Sequence, residues 1–140
     1  MSVKTSEFRL KMRGETQIEN ITKRVEEAVT KSGLEAGIAV VFIKHTTAAV
    51  MVIEDEPGTR SDTKTIWERL IPPDAAWQHN TLNAGEDNAH SHLRGHLQGP
   101  SVTVPFSHHS LLLGTWQQIV VVDFDTRPRT RDLVVQIIGE

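Results

Sequence analysis

The chain has 140 residues, of which 38% are hydrophobic and 24% charged, with a formal net charge of -3. That length suits one domain, residues 1–140, with a real apolar core; the slightly acidic balance and the lack of a basic stripe argue against nucleic acid and anionic membrane as partners. With no cysteine, disulfides and thiolate zinc sites are excluded, so any metal must be held by histidine, carboxylate and water. The first fifteen residues contain no apolar signal-like run and no 18-residue apolar stretch follows, so a cytoplasmic location is expected.

In chain order, Glu7 to Arg13 alternates strictly, with Phe8, Leu10 and Met12 on one face, and predicts a half-buried strand. Thr16 to Glu19, TQIE, reads as a capping box opening a helix that runs to about Lys31, with Ile18, Ile21, Val25, Ala28 and Val29 on one face and Ser32-Gly33 as the stop. The continuous apolar run from Gly37 to Lys44 predicts a strand buried on both sides, and a second run from Thr47 to Ile53 follows the HTT of His45 to Thr47. Pro57-Gly58 reads as a turn before a helix over Arg60 to Leu70, which Pro72-Pro73 ends. Residues 72–86 show no period and are expected to form a loop. Asp87 can cap a helix over Asn88 to Gln98. The last third reads as strands at Ser101–Phe106, Leu111–Leu113, Gln117–Phe124 and Asp132–Ile138. Strands interrupted by about three helices predict an α+β domain with a mixed or antiparallel, barrel-like sheet, not a doubly wound one.

The segment from Trp77 to Gly99 carries four of the seven histidines, His79, His90, His92 and His96. Imidazole binds transition metals and exchanges protons near neutral pH, so this segment is the first candidate for a site. On a helix His92 and His96 project side by side, as two ligands of one metal or as a polar helix face, while His90 and His92 point apart. His108 and His109, adjacent in a strand, face opposite ways. His45 follows a buried strand, where a polar residue needs a partner or a purpose. Glu54, Asp55 and Glu56 could offer a carboxylate or form a solvated turn, and Arg127, Arg129 and Arg131 could hold a phosphate or form a surface stripe. Trp67, Trp77 and Trp116 are expected in the core or at a subunit interface. No phosphate-cradling glycine loop, nucleophile elbow or HExxH motif occurs.

Several of these stretches recur together in one family pattern: HTTAAV from His45 with Glu54 after it, WQHN around His79, SHLRG around His92, GPSVTVPF, GTWQQIVVVDFD from Gly114, and the terminal RDLVVQIIGE. On them the chain resembles the YjbQ family, whose members are described as secondary thiamine-phosphate synthases. The resemblance implies a homotrimer and a metal site, with a divalent ion such as zinc held by His45, His79 and His92. It implies Glu54 as the carboxylate beside them and Arg131 as the contact for a small phosphorylated substrate, with Ser101 and Thr115 as nearby hydrogen-bond donors. Three neutral imidazoles would leave an open coordination position, as catalytic zinc requires.

The activity so implied is the condensation of hydroxymethylpyrimidine diphosphate with thiazole phosphate to thiamine phosphate and pyrophosphate. The other expectation is a trimeric protein that binds a metal or a phosphorylated metabolite without turning it over.

Overall fold

The computed structural model describes residues 1–74 and 76–140. Its elements are β1 (Ser2–Met12), β2 (Gln17–Asn20), α1 (Thr22–Ser32), β3 (Ala36–Ile43), β4 (Ala48–Glu54), α2 (Pro57–Leu70), α3 (Gln78–Leu82), α4 (Ala89–Gln98), β5 (Ser101–Ser107), β6 (Ser110–Leu111), β7 (Gln117–Asp123) and β8 (Arg129–Gly139). The strands form two sheets, β1-β8-β3-β5-β6 and β2-β7-β4, in which every pairing is antiparallel. The architecture is α+β, a curled antiparallel half-barrel with four helices among the described residues.

The inward faces of both sheets close on α1. Leu10 and Met12 of β1, Ala39, Val41 and Ile43 of β3, and Leu133, Val135 and Ile137 of β8 meet Val25, Ala28 and Val29 of the helix, with Ala48, Val50, Ile119 and Val121 from the second sheet. The opposite face of that second sheet is buried as well. Ile18, Ala49, Met51, Val120 and Val122 pack against Trp67, Ile71 and Phe124, with Trp77 and Leu93 at the margin. Trp67 stands edge-on to Phe124, ring centroids 5.2 Å apart. Being covered on both faces is why β4 and β7 read as unbroken apolar runs.

Four expectations change here. Thr16 to Glu19 does not cap a helix: Gln17 to Asn20 pairs with β7, placing Ile18 in the second core, and α1 starts at Thr22, whose N–H is taken by the Asn20 side chain at 3.0 Å. Sheet pairing and burial of Ile18 outweigh a local capping motif. The strand after Gly37 is covered on one face only, since Ile38 and Phe42 are exposed. Pro57-Gly58 is the first turn of α2, with the Glu56 carboxylate accepting from the Gly58 and Thr59 N–H groups. Within the expected loop, α3 forms over Gln78–Leu82. Trp67 lies in the core as anticipated, whereas Trp116 is 70% exposed. No helix among the described residues is long and apolar enough to cross a membrane.

Helix α4 lies close on β4, and Gly95 permits it: a Cβ there would sit 2.8 Å from the Thr46 carbonyl oxygen and 3.4 Å from that of Ala48. Both contacts are to backbone, which cannot swing away. Gly95→Ala is therefore expected to destabilise the fold by about 1–3 kcal/mol, read as a lower urea midpoint at unchanged slope; an unaltered midpoint would show that the helix can lift off the strand freely.

Candidate functional site

Register puts the chemistry together. In the β4–β7 pair Ala48 faces Asp123, so Thr47, just before β4, stands beside the Asp123-Phe124-Asp125 segment that ends β7. β8 begins across from it with Arg129 and Arg131. The fully buried Asp123 carboxylate receives the Arg131 guanidinium as a fork, Nε to Oδ2 at 2.7 Å and Nη2 to Oδ1 at 2.7 Å. The same Nη2 donates to the Thr47 hydroxyl at 2.8 Å, and that hydroxyl donates onward to Asp125 at 2.8 Å. Asp125 also accepts from Arg129 Nε at 2.6 Å, Asn88 Nδ2 at 3.2 Å and the Thr126 N–H at 2.7 Å. Burial alone would raise its pKa, but the hydrogen bonds from Thr47, Thr126, Arg129 and Asn88 outweigh that and bring it down to about 2.

The helices supply the histidines. Asn80 of α3 accepts the Ala89 N–H at 3.0 Å, so the cap of α4 comes from the preceding helix. Asp87, expected to cap, instead accepts from the Thr126 hydroxyl at 2.9 Å and from Arg127 at 3.2 Å. With the two helices so tied, the rings of His79 and His92 lie 4.5 Å apart, tilted by 52°. Burial first, and then the neighbouring His79, lower the His92 pKa below its ordinary value, which keeps that ring neutral at pH 7. His79 Nε2 and Asn88 Oδ1 are both buried without a hydrogen-bond partner among the described residues. Such orphans are costly and call for a ligand or water.

His45, His79 and His92 all line one cavity of about 440 Å³, with Lys44, Glu86, Asn88, Asp125 and Arg129 among its other walls. The structure thus brings the three histidines to one cavity but does not assemble them around a point. His45 Nε2 accepts the backbone N–H of Asp132 at 2.9 Å, which commits that nitrogen to the β8 backbone. Among the described residues, no group of three or more His, Asp or Glu side chains is disposed to hold a metal ion. His79 and His92 suit a metal as a pair of imidazoles, one with an orphaned nitrogen; His45 would have to give up its bond to Asp132 to join them through Nε2.

Four expected residues are placed differently. Arg131 lines the cavity but is only 1% exposed, and its Nε and Nη2 are spent on Asp123 and Thr47. It holds the floor in position, and the cations left to meet an anion are Lys44 and Arg129, the latter giving only its Nε to Asp125. Glu54 is exposed at the far end of β4, opposite Gln117. The length of that strand, roughly 20 Å, separates it from Ala48, so within one chain it does not stand beside the histidines. Glu86 takes that place, since Asp125 is saturated. Thr115 lies at the same distant end, and neither it nor Ser101 lines the cavity.

The remaining histidines divide. His90 points away from His92, 6% exposed with an unpartnered Nδ1, while His96 is exposed on the next turn. His108 and His109 form a turn with φ of 51° and 60°, and His109 Nδ1 meets the Leu34 carbonyl at 2.9 Å. Lys44, Glu86 and Asn88 had no periodic signature. The buried aspartates did have one: Asp123 and Asp125 interrupt an apolar run, where charge is tolerated only if paired.

Removing one member of the buried ion pair leaves the other uncompensated. Arg131→Ala is expected to cost about 3–5 kcal/mol, seen as a melting point lower by on the order of 10 °C, and Arg131→Lys to recover only part of this for want of the fork. Because the folded pKa of Asp125 is depressed, its contribution is complete above 3.8 and is lost as pH falls through about 2. Acid unfolding should accordingly shift to higher pH in Asp125→Asn, which lacks that stabilisation at every pH; superimposable acid transitions would refute this role.

A family model described as "UPF0047 protein YjbQ-like" matches residues 6–140. A UPF0047 protein of Methanothermobacter thermautotrophicus is 37% identical over 140 residues, covering 100% of this chain and 95% of that one. A Bacillus subtilis relative, UPF0047 protein YugU, is 31% identical over 121 residues, 86% of this chain and 88% of the other. Among solved structures, a hypothetical protein from Aeropyrum pernix is similar with a TM-score of 0.90 at 36% identity, covering 98% of this chain and 99% of that one. A YbjQ-like protein of unknown function from Sulfolobus solfataricus gives 0.89 at 33% identity, covering 99% and 100%. With its sequence and its fold both matched over nearly their whole length, the chain belongs to the YjbQ (UPF0047) family.

Proposed function

We propose that the cavity binds a small phosphorylated substrate and acts on it as a thiamine-phosphate synthase, joining hydroxymethylpyrimidine diphosphate to thiazole phosphate. The observation that carries the reading is the pair of buried, unpartnered atoms, His79 Nε2 and Asn88 Oδ1, on walls shared with Lys44 and Arg129. Polar atoms without partners beside Lys44 and the Arg129 guanidinium, which gives only its Nε to Asp125, suit a ligand rich in oxygen and negative charge. The thiamine assignment itself rests on the family resemblance.

In that reaction the thiazole nitrogen forms a bond to the methylene carbon on the pyrimidine, and the bond from that carbon to the diphosphate oxygen breaks, its electron pair leaving with pyrophosphate. Lys44 Nζ and the free Nη groups of Arg129 stabilise the charge that grows on the departing oxygens. Neutral His92 is available to shift a proton, and Glu86 offers the cavity's uncommitted carboxylate. A divalent metal such as zinc, held by His79 and His92 with His45 as the further candidate, would add positive charge at the leaving group when bound. The chain works as a homotrimer in this reading, a single trimeric mass in light scattering.

A second reading, a trimer that binds a metal or a phosphorylated metabolite without turnover, draws on the same orphaned atoms. Purified protein with added zinc, manganese or magnesium is expected to form thiamine phosphate, with Lys44→Ala and His92→Ala each slower by about a hundredfold. Metal measured by mass spectrometry should fall in His79→Ala and His92→Ala alike. Saturable calorimetric binding with no product in a single turnover would replace the enzyme by the binder.

A further inference from the structure

We propose that the ligand site has two chambers, and that the second takes an apolar or aromatic ring attached to the phosphorylated group. This rests on the phosphate reading above and extends it. Beside the main cavity lies another of about 250 Å³, lined by Thr46, Ala48, Gly95, His96 and Pro100 together with His45 and His92. His45, Thr46 and His92 therefore belong to both. The two differ in chemistry. The larger has Lys44, Glu86, Asp125 and Arg129 on its walls, whereas no Lys, Arg, Asp or Glu lines the smaller.

The division has a structural origin. α4 is pressed onto the start of β4 at Gly95, which leaves Ala48, Gly95 and Pro100 around the gap, with no Lys, Arg, Asp or Glu on its walls. Apolar walls reward a ligand surface that leaves water and offer a charged group nothing. A molecule spanning both chambers would put phosphate toward Lys44 and Arg129, a flat or apolar ring against Pro100 and His96, and the bond between them beside His45 and His92. The two imidazoles then flank the link between the charged and apolar parts. His96, the helical neighbour of His92, acquires a role as a wall of the ring chamber and not as a ligand of metal.

Calorimetry and backbone-amide NMR with inorganic phosphate and benzyl phosphate test this on the intact chain. Benzyl phosphate is expected to bind roughly tenfold more tightly, about 1.4 kcal/mol. It should shift the Gly95, His96 and Ala48 amides, which inorganic phosphate leaves in place. Lys44→Ala should weaken both ligands by a similar factor, and His96→Ala should shrink the gap between them. If inorganic phosphate binds but the benzyl group adds no affinity, or its shifts bypass Gly95 and His96, the second chamber is overturned while the phosphate reading stands. If neither ligand binds, the phosphate reading falls and takes the second chamber with it.

Discussion

The site is built on the forked contact between Arg131 and Asp123, made where neither side chain meets solvent. An ion pair in that position must be nearly perfect in geometry, because desolvating two charges costs several kcal/mol and only close, directed hydrogen bonds return it. The pairing of β4 with β7 and the entry into β8 meet at this contact. Thr47 extends it: one hydroxyl accepts from Arg131 and donates to Asp125, so its proton direction is fixed at both ends. A guanidinium can only donate and an ionised carboxylate can only accept. That forces a single arrangement on the Thr47 hydroxyl and, through Asp125, on Arg129 and Asn88.

The flanking helices inherit their position from this floor. Asn88, which precedes α4, donates to Asp125, and the Ser91 hydroxyl one turn later donates to the Phe124 carbonyl at 2.5 Å. Gly95 then lets the next turn sink against β4. Anchored at these levels, α4 presents His92 to the cavity and buries His90 on its other side. The capping contact from Asn80 carries the order back to α3 and His79. The histidine pair therefore sits on helices, which hold a side chain more firmly than a free loop would, and its one orphaned atom, His79 Nε2, lies outside the network that holds the helices.

The fold was largely legible in the residues. Alternation in Glu7 to Arg13 and the apolar runs of β4 and β7 reported strands because burial acts on every second residue or on all of them. Legibility failed where tertiary pairing overrode a local signal, as at Thr16 to Glu19, and where Ile38 and Phe42 stayed outside despite an apolar run. At the site, histidine content picked out the correct segment, but spacing on one helix favoured His92 with His96, whereas the structure pairs His92 with His79 from a different helix. Contacts between elements leave no period in either one. Glu54 and Arg131 are placed differently from that expectation for opposite reasons, the first distant within one chain and the second already satisfied, and neither distance nor satisfaction can be counted from a string of letters.

The separation of saturated from unsaturated groups bears on chemistry. Asp123, Asp125 and Arg131 have their bonding capacity directed inward, so the charge that stabilises the fold is shielded from ligand exchange. His79, Asn88, Lys44 and Glu86 retain capacity toward the cavity. Burial and the neighbouring His79, its ring 4.5 Å away, hold the His92 pKa below its ordinary value, so that ring enters neutral solution with a free lone pair. An imidazole that ligates a metal must be neutral, and one that donates to an anion must carry a proton on the donating nitrogen. Protonating His92 would therefore favour an anion there and disfavour a metal ion, so the burial that holds this ring neutral leaves it suited to accept a hydrogen bond or ligate a cation.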